Sequence, residues 1–164
     1  MFKEPNDFAI EFAERTLQNL KLVNDAQGLF DVTQLVNSLL GLIVFPHERY
    51  WSEKAYQGYL QKEYTSLVGQ GWPHFPVKYS SFKTRDTLKF RMTRLRNAFA
   101  HMRIQFLFDS SNMITGISVW DEWKKVERWR AELEISELRE FAERLVNLLS
   151  NAPDASGCSP ASAR

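Results

Sequence analysis

The sequence predicts a mainly helical α+β fold, a helical bundle in which a small antiparallel β-meander precedes the last helix. Three observations carry that expectation. Apolar residues recur at helical spacing through the first hundred positions, the period drops to two after Arg103, and a helical stripe returns beyond Ser136. With 164 residues, 44% of them hydrophobic and 13% aromatic, the chain is long and apolar enough for one domain with a real core. That domain is expected to span residues 1–150, with 151–164, rich in Ala, Ser and Pro, as a disordered tail.

Phe8 to about Asn24 reads as an amphipathic helix, with Phe8, Phe12, Leu17, Leu20 and Val23 near one face. Gly28 breaks it. Asp31 and Gln34 have capping-box spacing and Phe30 and Leu35 staple spacing, so a second helix is expected from Val32 to just before Pro46. Leu35, Val36, Leu39, Leu40, Leu42, Ile43 and Val44 make it apolar nearly all round, the mark of a central helix contacted on several sides. Tyr50 to Leu67 carries a weaker helical pattern, and Gly69 to Pro76 reads as a loop. Trp72, His74 and Phe75 in that loop, beside Lys78, have the composition of a base-stacking platform. More often such residues pin a proline-rich loop to the body of a protein, and that is the expectation here.

Thr84 to about Arg103 is the next helix, with Leu88, Met92, Leu95, Phe99 and Met102 gathered on a core-facing stripe. Arg103–Phe108, Met113–Trp120 and Glu127–Ile135 then read as strands, the first two joined by Asp109-Ser110-Ser111-Asn112. The third alternates, placing Trp129, Ala131, Leu133 and Ile135 on one face and Arg128, Arg130, Glu132 and Glu134 on the other. Asp121 and Glu122 read as a strand end or a turn cap. Ser136 is expected to cap a final helix striped by Leu138, Phe141, Ala142, Leu145, Leu148 and Leu149.

Several function classes fall away. The longest apolar run, Leu39 to Phe45, has seven residues and contains Gly41, against the ~20 needed to span a bilayer. No apolar signal-like stretch occupies Met1 to Asp7, and Cys158 is the lone cysteine, so a reducing cytoplasm is the expected setting. His47, His74 and His101 are distant in sequence and no HExxH or paired-cysteine spacing occurs, which argues against a metallohydrolase. Net charge is +1, yet Lys83 to Arg103 holds seven cations and one anion, a local excess suited to an anionic ligand.

That basic segment contains Arg96-Asn97-Ala98-Phe99-Ala100-His101, which sets a fixed cation, an amide and a titratable imidazole on one stretch. These groups suit RNA cleavage, in which a 2′-hydroxyl attacks its own phosphate. An imidazole exchanges protons near neutral pH, so His101 is the expected acid–base group. Arg96 would oppose charge developing on phosphorus, and Asn97 would orient the imidazole or the phosphate. Lys89, Arg94 and Arg103 are the expected RNA contacts, and Lys89, Arg96 and Arg103, seven apart, would form a cationic ridge. No cofactor or metal is called for. On a regular helix Asn97 and His101 lie opposite Leu88, with Phe90 between them, and Arg96 and His101 stand about 140° and about 7.5 Å apart. A second, partly apolar stripe and a divergent pair both point to a homodimer with a composite cleft.

The motif and its helical setting resemble the HEPN (higher eukaryotes and prokaryotes nucleotide-binding) superfamily, whose ribonucleases carry an Arg, a polar residue, three variable positions and a His. The resemblance implies a HEPN-like bundle and a metal-independent endoribonuclease, working as a dimer whose motif helices face each other, with Arg96, Asn97 and His101 as its site. The meander after the motif helix resembles the plasmid-encoded branch, and toxin, phage-defence and RNA-processing roles stay open. HEPN toxins silenced by a nucleotidyltransferase carry a Tyr two residues after the His. Arg103 stands there, so tyrosine adenylylation at that position is excluded, leaving another antitoxin or regulatory partner open. The alternatives are a non-catalytic HEPN module binding RNA, a nucleotide or a protein partner, and a DNA-binding protein using the basic helix in a major groove.

Overall fold

Helical stripes and strand alternation meet in one core. The computed structural model describes residues 5–25, 31–47 and 54–151. Its elements run α1 (Pro5–Asp25), α2 (Asp31–His47), α3 (Lys54–Leu60), α4 (Tyr64–Val68), β1 (Val77–Ser80), α5 (Leu88–Ala100), β2 (Ile104–Phe108), β3 (Ile114–Trp123), β4 (Val126–Glu134) and α6 (Ile135–Ser150). The architecture is the expected mixture of helices with an antiparallel sheet before the C-terminal helix, and β1 joins the three expected strands as a fourth. The expectation for the tail beyond Asn151, the break at Gly28 and the staple and cap of Phe30 and Asp31 lie outside the described residues and side chains.

α2 is central, packing on α1, α5 and α6 through buried Leu35, Leu39, Leu42 and Ile43. Its Gly41 lets the Phe12 ring of α1 come within 2.8 Å of where a Cβ would stand. The helix runs through Pro46 to His47, beyond its expected end, because proline removes one donor but its fixed φ is helical. The 50–67 region splits into α3 and α4, separated where Glu63 bridges to Thr87 ahead of α5.

The sheet order is β1-β4-β3-β2. β1 is short and mostly exposed, so no alternation announces it; pairing of Val77 with Ala131 and Ser80 with Trp129 makes it a strand. Ile117 and Val119 of β3 and Trp129, Ala131 and Leu133 of β4 are buried against the helices. Gly116 lies so close to the Leu133 carbonyl that a Cβ there would overlap it. Because that neighbour is backbone, Gly116→Ala is expected to cost about 1–3 kcal/mol, read as a melting temperature lower by several degrees.

Trp72 and Phe75 of the 72–76 loop are pinned, as expected, and not free to stack bases, while His74 stays exposed. Trp72 and Phe75 are 4% and 0% exposed, and both make edge contacts with Phe141 of α6 at 5.6 Å. Arg91 fastens the loop to α5: its guanidinium grips Asp86 through two bonds of 2.9 and 2.7 Å, donates to the Phe75 carbonyl at 2.7 Å and lies 3.9 Å over the Tyr64 ring. Burial pushes the Tyr64 phenol well above its ordinary range, against the pull of Arg91, and it remains a neutral donor to the Pro73 carbonyl.

α6 begins straight from β4. Its cap is Glu134, reciprocated by Glu137, and not the expected Ser136. A side-chain oxygen is needed at the residue where the chain leaves extended geometry, and that residue is Glu134.

Candidate functional site

The motif helix is shorter than its pattern suggests. Thr87 caps α5 by accepting from the Phe90 amide at 3.2 Å, and the helix ends at Ala100. Met102 then takes φ 54°, its N–H bonds the Phe99 carbonyl and the Arg103 N–H bonds Ala98 at 2.8 Å, a Schellman-type stop. Met102 is consequently 79% exposed and not part of the core stripe, whereas Leu88, Met92, Leu95 and Phe99 are buried. The stop exists because Arg103 must enter the sheet, where its carbonyl accepts from Trp120. His101 therefore sits at the helix C-cap, exposed, and its ring has no hydrogen bond or ion pair among the described residues.

The residue that organises this corner is Asp121. β3 extends through Trp123, three residues past the expected end, because β4 continues to pair with it. Ile117, Val119 and Asp121 share the inward face by strand alternation, so a carboxylate arrives beside α5 where an apolar side chain would otherwise pack. Asp121 is 5% exposed. Its Oδ2 accepts from Arg94 Nη1 at 2.6 Å and Asn97 Nδ2 at 3.3 Å, and its Oδ1 from Arg103 Nη1 at 3.4 Å. Arg103 also bonds the Glu122 carbonyl at 3.1 Å and its carboxylate at 3.2 Å. Arg94 lies 4.6 Å over the Phe82 ring, whose surroundings include Arg128 at the same distance and Phe90 at 5.4 Å.

Around this network opens a cleft of about 510 Å³, walled by Arg94, Asn97, His101, Arg103, Asp121, Glu122, Trp123, Lys124, Phe82 and Arg128. Of the expected site residues, Asn97, His101, Arg94 and Arg103 are thus brought together. Arg96 stands outside the wall, half-buried, and donates Nη1 to Asn97 Oδ1 at 3.2 Å. Lys89 is remote, bonding Gln57 of α3 at 3.3 Å. The seven-residue ridge does not form, since Arg103 has left the helix.

Two further expectations change. The basic segment is not bare: Glu63 pairs with Arg85, Asp86 with Arg91, and Asp121 and Glu122 with Arg94 and Arg103. Phe90, which the sequence places on a second apolar stripe facing another subunit, packs edge-on against Phe82 of the same chain. Sequence reasoning missed Asp121, Trp123 and Lys124. The available signal was the inward alternation 117-119-121 beyond an early-closed strand.

Among the described residues no group of three or more His, Cys, Asp or Glu is placed to hold a metal ion, and no helix is long and apolar enough to cross a membrane. A family model described as HEPN pEK499 p136 matches residues 1–156. No curated protein and no solved structure matches the chain. Since that match runs from before α1 to beyond α6 and takes in both the motif helix and the sheet, the chain belongs to the HEPN pEK499 p136 family, in the plasmid-encoded branch of the HEPN superfamily.

Proposed function

We propose that this protein is an endoribonuclease that cleaves single-stranded RNA by 2′-hydroxyl attack, at a composite site of a homodimer. The observation that carries this reading is the placement of Asn97 and the unengaged imidazole of His101 on the wall of one cation-lined cleft. A proton leaves the 2′-hydroxyl, its oxygen bonds phosphorus, the bond to the 5′-oxygen breaks, and that oxygen takes a proton. The products are a 2′,3′-cyclic phosphate and a 5′-hydroxyl. His101 moves the protons, and Asn97, held between Arg96 and Asp121, presents a fixed amide to the phosphate. Arg94 and Arg103 keep the wall in shape through Asp121.

Arg96 reaches the phosphate from across the two-fold of the dimer, which is why its position outside the cleft wall of one subunit is compatible with catalysis. An activity of this kind suits a toxin or phage-defence effector acting in the cytoplasm. The test is incubation of the protein with a labelled single-stranded RNA in EDTA, with analysis of product ends. Cleavage leaving cyclic phosphate is expected, with Arg96→Lys slower by about 10²–10³-fold because an ammonium lacks the forked donor pair. RNA bound by both proteins and cut by neither would replace this reading with a non-catalytic binding module.

A further inference from the structure

We infer that the tip of the β3–β4 hairpin is the base-recognition element of this cleft, with Trp123 stacking on an unpaired base and Lys124 and Lys125 holding the flanking phosphates. The inference rests on the RNA reading of the cleft and names the part that selects the substrate. Trp123 is 66% exposed, whereas Trp72 and Trp129 are buried and Trp120 is half-buried. A large ring left in water at the edge of a cleft containing Asn97 and His101 has apolar surface to give to a ligand.

The turn beside it points the same way. Trp123 pairs with Val126, so Lys124 and Lys125 form a two-residue hairpin loop, with φ of 50° and 64°. Turns with positive φ at both central positions favour Asn-Gly, and lysine is a poor choice there. Neither ammonium has a hydrogen bond or ion pair among the described residues, so the strained placement has no return within the fold. Charge completes the argument. Asp121 and Glu122 offset Arg94 and Arg103, which leaves Lys124 and Arg128 of the cleft wall, and Lys125 at the tip, as the excess. An exposed indole among uncompensated cations fits a polyanion carrying flat rings. In a duplex those rings are stacked on one another, so the cleft selects unpaired nucleotides.

The test measures binding of a fluorescein-labelled twelve-nucleotide RNA, single-stranded or annealed, to wild type, Trp123→Ala, Trp123→Phe and the double variant Lys124→Asn/Lys125→Gly. Trp123→Ala is expected to weaken single-strand binding about tenfold or more, and Trp123→Phe to keep most of it. The lysine double variant should melt higher, bind more weakly and lose about 1.4 from the slope of log K against log salt. Single-strand affinity unchanged in Trp123→Ala overturns the inference, as does equal affinity for the duplex. So does loss of self-association in Trp123→Ala with RNA affinity intact, which would mark the ring as a protein interface. Wild-type protein that binds the single strand through Trp123 without cutting it removes the nuclease reading alone, and wild-type protein that cuts as fast as Trp123→Ala removes the hairpin alone. Failure of wild type to bind any single strand overturns both.

Discussion

His101→Ala is expected to lower RNA cleavage by about 10²–10⁴-fold while leaving the melting temperature nearly unchanged. The two halves of that expectation have separate causes. The helix stop at residue 101 is made by backbone groups, Met102 N–H to the Phe99 carbonyl and Arg103 N–H to Ala98, which alanine preserves. The ring itself has no partner among the described residues, so its removal leaves no buried group unsatisfied. Everything the side chain contributes is therefore available to a ligand. Thermal melts and single-turnover cleavage on the same preparation check both halves. An unstable or dissociated variant with a normal rate per folded dimer would make His101 a structural residue.

Asp121→Ala should have the largest effect on stability, about 3 kcal/mol, with a melting temperature lower by about 10 °C. Removing the carboxylate strands Arg94, whose side chain is only 19% exposed, and leaves it facing Arg103, which is 21% exposed and keeps Glu122 as its partner. The partial exposure of both arginines keeps the cost at the lower end for a broken buried pair. Asp121→Asn retains an acceptor and should lose less, and Glu122→Ala, at the cleft rim, should cost below about 1 kcal/mol. Asn97 also loses its anchor in Asp121→Ala, so cleavage falls with stability. A variant that melts like wild type but no longer cuts would mean that the carboxylate acts on the substrate and not on the wall.

Local periodicity made the helices and the meander legible, because the neighbours that fix a helix or a strand face lie two to four residues away. Leu88, Met92, Leu95 and Phe99 declared the buried side of α5, and Trp129, Ala131 and Leu133 that of β4. The Arg96, Asn97 and His101 spacing was likewise readable without a structure. Errors cluster at element ends: Met102 follows the helical stripe in sequence, but entry of Arg103 into the sheet stops the helix first.

The sequence alone determined the fold class, the buried faces of α5, β4 and α6, and the family. Only the tertiary structure decided what surrounds the motif. Whether a cation is available depends on carboxylates such as Glu63 and Asp121 that lie 22 and 27 residues away from Arg85 and Arg94 in the chain. Whether an aromatic is free depends on packing, which buries Trp72 and Phe75 and leaves Trp123 in water. Which carboxylate meets which arginine, and which aromatic a neighbouring helix covers, are set by docking between elements far apart in the chain, and the periodicity of one element names its buried side without naming what packs there.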